Sequence, residues 1–102
     1  MDVFYQLHGL LFVWQEEKAA SNYTKHGIGF ETAAEIFLDP LLNYEDASVD
    51  DESRTAAIGR TFDRRILFAV HIEHENERIR MISARDVTSG ESANYQNRKG
   101  DQ

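Results

Sequence analysis

The chain has 102 residues, 41% of them hydrophobic and 28% charged, no cysteine, and a formal net charge of −7. This suits one globular domain with a single modest core. It excludes a disulfide framework, a thiolate metal site and a cysteine nucleophile, and the acidic balance weighs against non-specific nucleic-acid binding, which depends on neutralising phosphates.

No apolar run approaches the length of a membrane span. The start, "MDVFYQLHGLLFVW", lacks the basic residues and small-residue cleavage site of a signal peptide. A cytoplasmic location is therefore expected. "NYT" at Asn22 fits a glycosylation triplet, which has no role without export. The charge is unevenly spread. Residues 1–52 hold 11 acids against Lys18 and Lys25, whereas residues 53–90 hold seven arginines against five acids. An acidic first half thus meets an arginine-rich second half, which reads either as solubilising surface or as a local anion site.

In chain order, "LLFVWQ" (10–15) is apolar, aromatic and partly branched, so it predicts a strand. That strand could begin at Val3, with His8-Gly9 as a possible break. Residues 16–26 predict a helix with Glu16 and Glu17 in its first turn, where the dipole favours acids, and Gly27 as a left-handed cap. Its Ala19, Ala20 and Tyr23 are expected to pack inward beside a Lys18-Asn22-Lys25-His26 stripe. "FETAAEIF" places Phe30, Ala33, Ala34 and Phe37 on one helical face. Gly29 is the expected N-cap, and Asp39-Pro40 the stop.

A short strand is possible at 41–44, and "EDASVDDES" reads as an acidic loop. Three strands are predicted next, at 54–60, 65–73 and 78–84. The links "TFDR" and "HENE" are short enough to join them as an antiparallel meander. Strict alternation in the last strand sets Arg78, Arg80, Ile82 and Ala84 against Ile79, Met81 and Ser83. Residues 88–97 predict a final helix capped by Thr88 or Ser89, and "NRKGDQ" a frayed tail. The expected class is α+β, with helices packed on one face of a mostly antiparallel sheet.

The Lys-His-Gly end of the first helix has a purely structural explanation, because cations stabilise a helix C-terminus. It is also a candidate catalytic pair. Arginine grips phosphate in two places and keeps its charge when buried. Arg80 alternates with apolar residues, so a half-buried arginine with a task is expected there. His71 and His74 hint at a metal site, but strand alternation sends them to opposite faces, so no metal is expected. His71 reads as a half-buried strand residue that could line a site. No P-loop, dinucleotide-binding glycine pair or nucleophile elbow is present.

The strings "FVWQEEKAASNYTKHGIGFETAAEIFLDP", "RTAAIGR", "RILFAVHIE" and "RIRMISAR", followed by Glu91 and Tyr95, together resemble the BrnT toxin family of type II toxin–antitoxin systems. The K-x-x-x-N-x-x-K-H-G string is the most specific of them. The resemblance runs from Phe12 to about Tyr95. Two departures stand out: Gln15 replaces an acid that usually follows the strand Trp, and "DVTSGESANYQ" replaces a usually arginine-rich final helix.

The resemblance implies a RelE-like fold in a single toxin domain over residues 1–102, with 1–9 an N-terminal extension and 97–102 a frayed tail. It implies a metal-independent endoribonuclease that needs no cofactor, inhibits translation, and is neutralised by a BrnA-like ribbon-helix-helix antitoxin through which alone it meets DNA. Carried over by motif, Lys25, His26, Arg60 and Arg80 are the candidate catalytic residues. Arg60 and Arg80 would clamp the phosphate, Lys25 would stabilise charge and His26 would transfer a proton, with these last two roles exchangeable. Arg85, Lys18, Asn22, His71 and Tyr95 are candidate substrate-binding residues, and Glu45 or Asp46 a candidate base. A second reading is a non-catalytic module of the same fold that retains antitoxin binding.

Overall fold

The computed structural model describes residues 1–73 and 77–100, with residues 98–100 as backbone alone. Strands β1 (Asp2–Leu7) and β2 (Leu10–Gln15) form an antiparallel hairpin. His8 and Gly9 turn it, with φ of 48° and 84°, the pair of positive angles that a two-residue hairpin turn requires. The pair expected as a possible break therefore folds the chain back, and residues 2–7 supply the outermost strand.

β2 runs directly into helix α1 (Glu16–His26), which Gly27 ends in the left-handed conformation, its N–H returning to Tyr23 O. Helix α2 (Phe30–Ala34) tightens into a 3₁₀ turn over Glu35–Leu38. Strands β3 (Asn43–Asp46), β4 (Thr55–Arg60), β5 (Ile66–Glu73) and β6 (Arg78–Asp86) form the expected meander, and helix α3 spans Ser89–Gly100. Most of the "HENE" link lies outside the described residues. The sheet order is β1-β2-β6-β5-β4-β3. Among the described residues, only the β2–β6 pairing is parallel.

The inner face of the sheet carries Phe12, Trp14, Ala57, Leu67, Ala69, Met81 and Ala84. These pack against Ile28, Phe30, Ala33, Ala34 and Ile36 to form the core. Trp14 and Phe30 meet edge to face at 5.6 Å, a contact worth ~0.5–1.5 kcal/mol beyond the area it buries. Gly59 marks the closest approach of helix to sheet. A Cβ there would lie 3.0 Å from both Cβ and O of Ile36, so β4 has a glycine where its neighbours have side chains.

Two sequence expectations are corrected. First, β6 does not alternate strictly. Val70 pairs with Ser83 but His71 with Met81, which leaves Ile82 as an extra residue. Such a bulge shifts the phase of every side chain beyond it. Ala84 therefore turns into the core, while Ser83 and Arg85 join Arg78 and Arg80 on the outer face. Without the bulge, the odd separation of Arg80 and Arg85 would put them on opposite faces.

Second, α1 does not pack through Tyr23, which is 62% exposed. Its one buried residue is Asn22. The Asn22 Nδ2 donates to Ala84 O at 2.9 Å and to Ile28 O at 3.1 Å, and its Oδ1 accepts from Ala84 N at 3.0 Å. β2 pairs with β6 only as far as Arg80. Beyond that point the Asn22 amide takes the place of a neighbouring strand and satisfies groups that burial would otherwise penalise.

The final helix is longer than expected. Residues 97–100, expected in the tail, continue it. Thr88 caps it reciprocally: Glu91 N donates to Thr88 Oγ1 at 3.2 Å, and Thr88 N donates to Glu91 Oε1 at 2.9 Å, which is a capping box.

Replacing Asn22 by Leu strands the Ala84 N–H and two carbonyls. The expected loss is about 2–3 kcal/mol, read as a lower urea midpoint by Trp14 fluorescence. Asn22→Asp should also destabilise, because a carboxylate cannot donate to Ala84 O, whereas Tyr23→Ala should stay within about 0.5 kcal/mol of wild type.

Candidate active site

Four of the sequence-predicted residues gather at the edge of the sheet. Lys18, Asn22, Lys25 and His26 line a shallow cleft of about 170 Å³ with Ser21, Ile82 and Ser83. α1 supplies one wall, and the bulged stretch of β6 supplies the other. Lys18, Lys25 and His26 are all exposed, and among the described residues none of them makes an ion pair. Asn22 stands apart from the other three. Its amide is committed to the backbone of Ile28 and Ala84, so it positions the cleft rather than offering a free polar group to it.

Ser83 joins this cleft to the outer face. By register it shares that face with Arg78, Arg80 and Arg85, and across the sheet with Arg60, Glu45, Phe4 and Asp2. Sequence reasoning missed Ser83, because strict alternation had put it opposite the arginines.

The arginines are held differently. Arg80 is half-buried, as expected, and its guanidinium faces the Asp2 carboxylate at 3.2 and 3.4 Å. Arg85 lies 4.0 Å over the Phe68 ring and binds Glu91 through both nitrogens at 2.8 and 2.9 Å. That fork, aided by the Thr88 N–H, lowers the Glu91 pKa to about 2 and raises that of Arg85. The carboxylate of Glu45 adds to the field on Arg85. Of the two candidate bases, only Glu45 shares the arginine face. Asp46 instead accepts hydrogen bonds from Ser48, which lower its pKa.

Arg60 and Tyr95 meet at the end of β4, away from the α1 cleft. The Arg60 guanidinium carbon lies 5.6 Å from the Tyr95 ring centre, and its buried Nε has no hydrogen-bond partner. Tyr95, 2% exposed, donates to Asp39 Oδ2 at 2.5 Å. Asp39 Oδ2 also accepts the Arg60 backbone N–H, and its Oδ1 accepts that of Leu41. Burial, with the Asp39 contact, raises the Tyr95 pKa. Asp39, read from sequence only as a helix stop, thus ties α2, β4 and α3 together.

His71 lines neither group. It is 2% exposed on the inner face, against Phe37 at 5.0 Å and Tyr44 at 6.0 Å, and burial lowers its pKa. The expectation of a half-buried, site-lining residue fails because β5 turns Leu67, Ala69 and His71 alike into the core. His74 lies outside the described residues. Among the described residues, no three His, Asp or Glu side chains gather as a metal site would need, and no helix is long and apolar enough to cross a membrane.

A mostly antiparallel sheet, with α1 and α2 on one face and cations at its rim and on the other, is consistent with the RelE-like class. Residues 14–91 match the family described as the ribonuclease toxin, BrnT, of type II toxin–antitoxin systems. The chain belongs to that family. It is similar in structure to the Brucella abortus ribonuclease toxin BrnT, solved at 1.1 Å. The two share 26% identity at a TM-score of 0.58, over 74% of this chain and 94% of that one. No curated protein matches the sequence.

The Glu91–Arg85 fork has a pH signature. A carboxyl whose pKa falls from 4.5 to about 2 on folding contributes stability that is full above pH ~4.5 and lost as the pH falls toward ~2. Glu91→Gln should therefore cost roughly 1–2 kcal/mol at pH 7. The difference from wild type should shrink steadily below pH ~4.5, as measured by urea unfolding across that range.

Proposed function

We propose that the chain is an endoribonuclease that cuts RNA without a metal ion, in the cytoplasm, and so inhibits translation. The reading rests on one observation: the exposed cations Lys18, Lys25 and His26 surround a cleft that opens, through Ser83, onto the face bearing Arg80 and Arg85. Membership of a ribonuclease toxin family adds to it.

Metal-free cleavage has three needs. A base takes the proton from a ribose 2′-hydroxyl, whose oxygen attacks the adjacent phosphorus. Cations hold the added charge on the phosphate, and an acid protonates the departing 5′-oxygen. The products are a 2′,3′-cyclic phosphate and a free 5′-hydroxyl. His26 transfers a proton, Lys25 neutralises phosphate charge, and Arg80 clamps the phosphate with its planar fork. Glu45 is a candidate base because it shares the arginine face. Arg85, once released from Glu91, and Lys18 hold flanking phosphates. Arg60 holds the RNA strand further along the same face, and the buried Tyr95 supports its guanidinium from beneath rather than touching RNA.

The toxin–antitoxin family implies an antitoxin partner. We assign it to the ribbon-helix-helix, BrnA-like type, with DNA reached only through it. A second reading, a non-catalytic module that keeps antitoxin binding, is favoured by the net charge of −7 and by the carboxylates already seated on Arg80 and Arg85.

Expression in bacteria separates the two. Wild type should arrest growth, and the purified protein should cut RNA in the presence of a chelator. Lys25→Ala, His26→Ala and Arg80→Ala should each lower the cleavage rate by about 100-fold or more and relieve the arrest. If wild type neither cuts nor arrests but still binds its antitoxin, the second reading replaces the first. Cleavage that stops on chelation overturns the metal-free mechanism.

A further inference from the structure

β1 seats itself without Phe4. Its alternate residues Val3, Tyr5 and Leu7 pack against the core, and Tyr5 meets the Trp14 ring at 5.6 Å. Phe4 points the other way and is 62% exposed, so an aromatic ring stands on the outer face with no part in the core.

One of its neighbours is a cation. The Arg78 guanidinium lies 5.0 Å from the Phe4 ring centre, and Phe4, Leu11 and Arg78 border a shallow recess of about 270 Å³. Phe4 pairs with Val13, and Val13 with Arg80, so Phe4 and Arg80 occupy one row across the sheet. Two strand spacings, about 10 Å, separate them. A nucleotide held by its phosphate at Arg80 can reach over this gap with the base of its neighbour. β1 precedes the family match, which begins at residue 14.

We propose that Phe4, with Arg78 beside its ring, is a stacking subsite for one unpaired RNA base next to the phosphate bound at Arg80. This rests on the ribonuclease reading above. An exposed aromatic ring beside arginines is the arrangement that holds single-stranded nucleic acid, because every base offers a π-face and every linkage a negative charge. The subsite therefore accepts any base, provided it is unpaired, and it selects single strands over duplex. Asp2, the carboxylate seated on Arg80, lies in the neighbouring row of β1. The Asp2 partner of this pair is exposed to solvent, where such a contact is weak enough for an RNA phosphate to displace it.

The test uses fluorescence anisotropy with short single-stranded RNAs whose cleavage is blocked by 2′-O-methyl groups. Phe4→Ala should weaken binding by about 5- to 150-fold, and Phe4→Trp should restore it. An abasic nucleotide at one position should weaken wild type by a similar factor and leave Phe4→Ala unaffected. Equal binding by wild type and Phe4→Ala overturns the subsite and leaves the ribonuclease reading standing. So does unchanged RNA binding with weakened capture of the antitoxin, which reassigns Phe4 to a protein contact. If wild type neither binds these RNAs nor cuts their unmodified 2′-hydroxyl counterparts, both readings fall.

Discussion

One amide side chain decides where the first helix sits. α1 buries a single residue, and it is polar. Apolar burial therefore contributes little to docking this helix. Beside a partly buried Ala19, two hydrogen bonds donated by the Asn22 amide and one accepted by it hold the helix in place. They form where β6 has lost β2 as a neighbour, so one side chain satisfies an orphaned strand edge and fixes the helix against it. The same contact brackets the bulge at Ile82. The cations of α1 therefore stand beside Ser83, at the point where the arginine face begins.

Much of this architecture was legible because its signals are periodic or local. The apolar runs of β2 and β5, the four-residue helical face from Phe30 to Phe37, and Gly27 as a left-handed stop each carry their own explanation. The bulge in β6 does not. "RIRMISAR" alternates acceptably as a straight strand, and one extra residue changes no composition; only pairing with β5 reveals it. Asn22 was misread for a related reason. A helical projection ranks Tyr23 as more apolar and turns it inward, because it cannot see an unpaired strand edge waiting for an amide. His71 shows the converse: alternation put it on the right strand but could not say which face was the core.

The electrostatics divide the protein in a way that net charge conceals. On the outer face Arg80 and Arg85 have carboxylate partners, and Arg65 and Arg54 are also matched to acids. The α1 cations have none among the described residues. Because salt largely screens exposed charges more than about a Debye length apart, ~8–10 Å, a ligand at the cleft feels the local cations far more than the acidic loop. An overall charge of −7 thus opposes loose accumulation of polyanions while leaving the cleft attractive at short range. Exchange of a carboxylate for a phosphate on an arginine keeps the charge balance of the face nearly constant.

The anchoring of α3 has a dynamic consequence. Among its described side chains only Tyr95 is buried, and the helix is held chiefly by that tyrosine on Asp39 and by the Glu91 fork on Arg85. A segment with so little apolar burial belongs to the low-stability end of a protein's cooperative units. Its amides should exchange with solvent through local detachment long before those of β5 open with the whole sheet. Each such detachment uncovers Arg60 and Arg85 together. A form with both arginines bare is therefore populated by the Boltzmann factor of lifting α3, and it becomes exponentially rarer as that free energy rises.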